Sequence, residues 1–172
     1  MSPIQSAATK VALSAAVVGI VLFRTRDLPR RELGLTAARL KPSLLFVVLY
    51  LAWMFASDAA IDWRGSWNWQ PWIVAPVSAS AMRILAVCLL GPIAEELIFR
   101  GWFFGLLEKR VGTALTIIGT AVGWAVLHYS YSWMVICVIV VDGILLGLAR
   151  WRTGSVYVPI AMHALYNLYA IW

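Results

Sequence analysis

Residues 91–101 read Gly-Pro-Ile-Ala-Glu-Glu-Leu-Ile-Phe-Arg-Gly, and they place three charged side chains inside an apolar run. These are the carboxylates of Glu95 and Glu96 and the guanidinium of Arg100. A charged side chain at the centre of a bilayer costs about 2.5–3.5 kcal/mol on insertion scales, so charges kept there usually serve a function. This stretch predicts a membrane-embedded helix that carries a polar site.

The composition of the chain is that of a membrane protein. Hydrophobic residues make up 62% of its 172 residues, whereas a soluble domain is about 45–50% apolar. The length suits a single membrane-embedded domain over residues 1–172. The net charge of +6 is collected in short clusters between apolar runs, which indicates membrane topology and argues against nucleic-acid binding.

Six apolar spans predict an all-α, polytopic bundle of about six transmembrane helices. They cover residues 7–23, 43–60, 79–107, 112–128, 133–149 and 155–171. No small-residue cleavage site follows the first span, so we expect it to be retained as a helix. Gly91-Pro92 lies inside the third span, and because proline lacks a backbone donor we expect a kink or a restart just before Glu95.

Basic residues predict the orientation of the bundle. Residues 24–41 carry six basic side chains, and two further basic loops contain Lys109-Arg110 and Arg150 with Arg152. The positive-inside rule places these loops in the cytoplasm and both chain termini outside the cell.

Two connecting segments are expected to lie at the membrane surfaces. The outer one contains four tryptophans, which favour an interfacial belt or a re-entrant segment, with a substrate-docking lip as the alternative. They are Trp63, Trp67, Trp69 and Trp72. The inner one, residues 28–40, has the pattern of a short amphipathic helix.

Spacing places the polar residues of these spans on shared helix faces. Glu96 and Arg100 are four residues apart, so Arg100 is expected to neutralise and position Glu96. Glu95 points about 100° away around the helix and remains free to act as a base. Two pairs in later spans have the same spacing: Trp124 with His128, and His163 with Asn167.

If the third, fourth and sixth spans pack together, these groups converge on a cavity suited to amide hydrolysis by water. A carboxylate can act as the base, and an imidazole can hold the water or protonate the leaving amine. An amide and an imidazole N–H can stabilise the oxyanion. Asp142 in the fifth span has two open interpretations, as a partner of a histidine or as a neighbour of a water-filled gap.

These motifs resemble those of the CAAX prenyl protease type II and bacteriocin-processing family (CPBP, or Abi). That family carries Glu-Glu-x-x-x-Arg, then Phe-x-x-x-His, then His-x-x-x-Asn or Asp. The corresponding segments here are Glu95-Glu96-Leu-Ile-Phe-Arg100, Trp124-Ala-Val-Leu-His128 and His163-Ala-Leu-Tyr-Asn167. Trp124 replaces the phenylalanine. The resemblance covers about residues 84–170, which would form the catalytic core.

The resemblance implies an intramembrane glutamate protease of a prokaryotic cytoplasmic membrane, which cleaves a membrane-associated protein or peptide. The resemblance assigns the activation of water to Glu95, with Glu96 and Arg100 as a supporting pair. It assigns an assisting role to His128 and stabilisation of the oxyanion to His163 and Asn167. Trp124 and Asp142 are candidates for substrate binding, Trp124 by adjusting the pocket size. The substrate could be a prenylated protein, an exported peptide or a C-terminal sorting tag, and the sequence does not indicate the oligomeric state.

Several alternatives remain beside this interpretation. Two histidines and two glutamates could hold zinc with an open coordination position. However, the chain has no His-Glu-x-x-His spacing, and Arg100 beside the carboxylates disfavours a cation, so we expect no metal and no other cofactor. The non-catalytic alternatives are a structural ion network, a proton relay and a membrane scaffold in bacteriocin immunity. The chain lacks the two matched halves typical of transporters.

Overall fold

The structure is a computed structural model that describes residues 2–64, 73 and 76–171, and every regular element in these residues is helical. The elements are α1 (Pro3–Arg24), α2 (Leu40–Ile61), α3 (Val77–Ile84), π1 (Leu85–Leu90), α4 (Gly91–Glu96), π2 (Leu97–Phe103), α5 (Phe104–Val126), α6 (Trp133–Thr153) and α7 (Tyr157–Ala170). The all-α prediction is confirmed. Three tryptophans of the predicted outer segment, Trp67, Trp69 and Trp72, lie outside the described residues.

Among the described residues, four helices are long and apolar enough to cross a membrane: α1, α2, the continuous stretch Val77–Val126, and α6. The stretch Val77–Val126 is 50 residues long and contains α3 to α5 with both π-helical segments. Its backbone leaves the helical conformation at Gly112, where φ is 78° and ψ is 169°. This break separates the third and fourth predicted spans. Helix α7 has 14 residues and covers the sixth, so the predicted number of six spans is approximate.

The backbone around Gly91-Pro92 changes its helical register, as the proline predicts. The Gly91 N–H bonds to the Ala86 carbonyl five residues earlier, which is the π-helical pattern, and α4 starts at Gly91. Pro92 stands in the first turn of α4, where a helix tolerates a missing N–H. The second π-helical segment, π2, follows Glu96 directly and has no comparable signal in the sequence.

The expectation of an amphipathic helix over residues 28–40 is wrong, because this segment forms turns and bends up to the start of α2. Gly34 adopts a left-handed conformation with φ of 69°, and its carbonyl accepts the Val156 N–H at 2.8 Å. The Thr36 hydroxyl donates to the Gly154 carbonyl at 2.9 Å. These groups tie the segment to the turn between α6 and α7, which a continuous helix could not do.

Helices α5 and α6 approach most closely at two glycines of α6. A Cβ atom added to Gly143 would lie 2.8 Å from the Ala121 Cα, and one added to Gly147 would lie 3.1 Å from a side-chain atom of Ile117. Small residues of this kind let helix backbones approach within a membrane. The approach also brings the Gly143 carbonyl within 3.0 Å of the Arg100 guanidinium, which donates to it.

Gly143→Ala is expected to destabilise the bundle, because the new methyl group would meet backbone atoms of α5 that cannot move alone. Overpacking typically costs about 1–3 kcal/mol. The measurement is the thermal unfolding midpoint of the purified protein in detergent. Gly119→Ala is the matched control, since a Cβ atom there meets nothing within 4 Å. An unchanged midpoint for Gly143→Ala would show that the close approach is not required.

Candidate active site

Glu96 and Arg100 form a buried ion pair in the centre of the bundle. Both side chains are fully buried, and the Arg100 Nη1 donates to Glu96 Oε1 at 2.9 Å. The Nη2 of Arg100 donates to the Gly143 carbonyl of α6 at 3.0 Å. The pair therefore links α4 and π2 to α6, and both charges are removed from lipid.

Glu96 has a second partner in α7. The His163 Nδ1 lies 3.0 Å from the same Oε1 atom, and the His163 ring is buried. Because a carboxylate oxygen accepts, the proton of this contact belongs to His163 Nδ1. Two donors from different elements thus share Glu96 Oε1, while Oε2 is buried without a hydrogen-bond partner in the described residues. Glu96 is fully buried and does not line the cavity described below, which separates its carboxylate from a substrate.

Glu95 lies in a different environment, although it is the adjacent residue. Its side chain is half-buried and lines a cavity, and its Oε2 accepts a hydrogen bond of 2.6 Å from the Trp124 indole N–H. No hydrogen bond to Oε1 is found within the described part of the chain. The difference of about 100° between neighbouring helix positions therefore gives the two glutamates separate partners.

His128 stands just after α5 and lines the same cavity as Glu95. Its Nδ1 lies 3.1 Å from the Trp124 carbonyl oxygen, one helical turn earlier. A carbonyl only accepts, so Nδ1 carries the proton in this contact, and Nε2 of the neutral ring has a free lone pair. This tautomer leaves the second nitrogen able to accept a proton from water.

Asn167 has a backbone partner that the sequence did not predict. Its amide nitrogen donates to the Val87 carbonyl of π1 at 2.8 Å. In the π-helical register the next donor for that carbonyl would be residue 92, which is proline and has no N–H, while the Gly91 N–H is already bonded to Ala86. Asn167 therefore satisfies a carbonyl that Pro92 leaves without a helical partner. One amide N–H remains for another acceptor.

The central cavity has a volume of about 800 Å³, within the range usual for small-ligand pockets. Six of the candidate residues lie in its wall: Glu95, Trp124, His128, Asp142, His163 and Asn167. The wall also reaches Arg64, Tyr131 and Ile171, which follow the ends of α2, α5 and α7. The cavity therefore lies toward this end of the bundle, opposite to the turn between α6 and α7.

The sequence of the chain was compared with models of protein families, with curated proteins and with solved structures. The model for type II CAAX prenyl endopeptidase Rce1-like proteins matches residues 76–169, which is more than half of the chain. The chain belongs to the Rce1-like family. The match includes all eight candidate residues and the two π-helical segments. No curated protein and no solved structure matched the chain.

Membership of the Rce1-like family assigns the chain to a class of membrane-embedded proteases and indicates a membrane protein or peptide as its substrate. The apolar helices support the same assignment to a membrane.

Asp142 lies in the cavity wall of this Rce1-like protein, and its side chain is only 2% exposed. Its Oδ1 accepts from the Trp53 indole N–H of α2 at 2.9 Å, and no hydrogen bond to a histidine is found among the described residues. This contact gives no support to the interpretation of Asp142 as a partner of a histidine. Asp142 is a neighbour of the cavity.

Sequence reasoning missed the contribution of Arg150, which it assigned to a cytoplasmic loop. Arg150 is only 6% exposed, and its Nε donates to the Arg100 carbonyl at 2.9 Å. A second donor, Nη2, bonds to the Glu32 carbonyl at 3.0 Å. A signal existed in the spacing, because Gly143 and Arg150 are seven residues apart and so share one face of α6.

Arg100→Met is expected to destabilise the protein strongly, because it leaves the Glu96 carboxylate buried without its main counter-charge. Breaking a buried ion pair on one side typically costs about 3–5 kcal/mol. The thermal midpoint in detergent measures this loss. Arg110→Met is the control, because the Arg110 side chain is exposed and lies outside the ion pair.

The double variant that adds Glu96→Gln to Arg100→Met should recover part of the lost stability, since no unpaired charge remains. A double variant that is less stable than Arg100→Met would contradict the ion-pair argument.

Proposed function

We propose that this protein is a metal-independent intramembrane endopeptidase in which Glu95 activates a water molecule. The observation that carries the proposal is the different use of two adjacent glutamates. Glu96 is closed off by Arg100 and His163, whereas Glu95 faces the central cavity together with His128. A structural ion network would have no reason to keep a second carboxylate at a cavity wall.

The hydrolytic step can be assigned to these groups. Oε1 of Glu95 takes a proton from the water while the water oxygen attacks the peptide carbonyl carbon. His128 holds the same water through Nε2, because its Nδ1 is bonded to the Trp124 carbonyl. The proton then passes to the leaving nitrogen, the C–N bond breaks, and the products are a carboxylic acid and an amine.

Stabilisation of the oxyanion is assigned to His163 and Asn167. Asn167 keeps one amide N–H after bonding to Val87, and His163 in its imidazolium form carries a proton on Nε2 as well as on Nδ1. Both side chains line the cavity. Arg100 and Glu96 act behind His163 and fix its ring, so they support the reaction without touching the substrate.

The arrangement of the side chains that could ligate a metal supports a reaction without one. In the described residues, no three side chains of His, Cys, Asp or Glu are grouped so that they could hold one ion. The Glu96 carboxylate is occupied by a guanidinium, which would compete with a cation. We therefore assign the activation of water to the carboxylate and imidazole alone.

The position of the cavity supports an assignment of the side of cleavage. The cavity lies toward the bundle end opposite to the turn between α6 and α7. The exposed Arg152 in the last turn of α6, with the exposed Lys109 and Arg110 of α5, is expected in the cytoplasm. The cavity therefore faces the extracytoplasmic half of the membrane. This orientation favours an exported peptide or a sorting tag over a prenylated protein made in the cytosol.

Glu95→Gln is expected to abolish cleavage while the protein still accumulates in the membrane, because the base is lost and Glu96 keeps its partners. Mass spectrometry of protein termini in membranes from cells with wild type or Glu95→Gln is the measurement. Peptide termini that appear only with wild type would identify the substrate. Glu108→Gln, in α5 outside the cavity, is the control and should retain the cleavage.

Identical termini in both strains would contradict the proposed function and favour the scaffold or the proton relay. Loss of cleavage in purified wild type treated with 1,10-phenanthroline, reversed by added zinc, would favour the metal-dependent protease instead.

The proposed orientation is tested with single cysteines in a background that lacks Cys88 and Cys137. Ser130→Cys lies in the exposed turn after α5 and should react with a membrane-impermeant maleimide added to intact cells. Arg110→Cys lies at the opposite end and should react only after the membrane is opened. The reverse pattern would place the cavity on the cytoplasmic side.

A further inference from the structure

The side chain of Trp124 contacts four charged or titratable residues of the candidate active site, namely Glu95, His128, His163 and Arg100. Its indole N–H donates to Glu95 Oε2 at 2.6 Å. The centroids of the His128 and His163 rings lie 5.2 Å and 5.1 Å from its own, at interplanar angles of 72° and 73°. The guanidinium carbon of Arg100 lies over its ring at 4.9 Å.

Burial makes this position of Trp124 well defined. The side chain is 4% exposed and belongs to the hydrophobic core cluster that includes Phe99, Leu146 and Met162. A packed indole ring has few alternative rotamers, so the direction of its N–H is fixed by the core. The hydrogen bond from this fixed N–H therefore restricts the movement of the Glu95 carboxylate, which is only half-buried.

The hydrogen bond has a specific consequence for the chemistry of Glu95. With Oε2 bonded to the indole, rotation of the carboxylate is restricted and Oε1 is presented to the cavity. A base must lie within about 2.6–3.2 Å of the proton it removes. The same residue also sets the tautomer of His128 through its carbonyl oxygen, so one residue orients both groups that would hold the water.

We propose that Trp124 is a positioning residue for Glu95, which it orients through its indole N–H. This inference rests on the proposed function, in which Glu95 is the base. It differs from the sequence-based assignment of Trp124 to the substrate-binding wall. Phenylalanine, which the family pattern has at this position, would retain an aromatic ring and lose the donor.

Trp124→Phe separates the hydrogen bond from the packing. The assay is cleavage of an internally quenched peptide in nanodiscs, and the peptide spans the cleavage site found by comparing the termini of wild type and Glu95→Gln. The expected result is a decrease in kcat of about 10–100-fold with KM changed by less than about twofold, because a displaced base slows the chemical step and leaves binding intact.

A second replacement keeps the test valid if Trp124→Phe unfolds the protein. Incorporating 3-benzothienylalanine at position 124 preserves the two-ring shape and replaces the N–H by sulfur. It should lower kcat as Trp124→Phe does. A protein with 5-fluorotryptophan at position 124 retains the N–H and should have the wild-type kcat. Trp133→Phe is the control for a change of tryptophan outside the site, because that side chain is 75% exposed.

The outcomes distinguish a failure of the proposed function from a failure of the proposed role of Trp124. If wild type and Glu95→Gln produce the same termini, the proposed function fails. If wild type cleaves and Glu95→Gln does not, but the benzothienylalanine protein has the wild-type kcat, then Trp124 does not position Glu95. A change in KM with kcat unchanged would return Trp124 to the substrate-binding wall.

Discussion

The buried carboxylate of Glu96 is the constraint on which the rest of the site depends. A charge removed from water must be matched by donors, or the fold loses several kcal/mol. Here the donors come from Arg100 in π2 and His163 in α7, while Arg100 in turn bonds to the Gly143 carbonyl in α6. One carboxylate therefore brings three separate elements into a fixed relation.

The two π-helical segments on either side of α4 are part of this arrangement. Val87 in π1 and Arg100 in π2 each offer a backbone carbonyl to a side chain from another helix, namely Asn167 and Arg150. Within membranes, irregular helical backbone is tolerated where neighbouring groups satisfy the freed carbonyls. Interruptions of this type are often found at functional sites. Here they hold the helix that presents both glutamates.

The central cavity distinguishes the environments of the two adjacent glutamates. Glu96 stabilises the bundle and orients His163, whereas Glu95 is held by a neutral donor and faces the space in which a substrate would lie. Asp142 adds a further carboxylate to the same wall, held by Trp53. The family match supports a membrane protease. The different partners of Glu95 and Glu96 are consistent with the separate functions proposed for them.

The sequence by itself determined the all-α class, the apolar helices, the register change at Pro92 and the pairing of Glu96 with Arg100. These features depend on hydrophobicity and on geometry within one helix, and a separation of four residues is enough to define them. The sequence also predicted a gap between two spans at residues 108–111, directly before the break at Gly112. The turns over residues 28–40 were not predicted, since their conformation depends on bonds to the distant Gly154 and Val156.

Only the tertiary structure decided the partners across helices. Trp124 and Glu95 are 29 residues apart, His163 and Glu96 are 67 apart, and Asn167 and Val87 are 80 apart. Such contacts depend on the rotation and depth of each helix against its neighbours, which the spacing within a single helix does not specify. The sequence could therefore name the candidate residues of a site, but the packing of α5, α6 and α7 determined which of them touch.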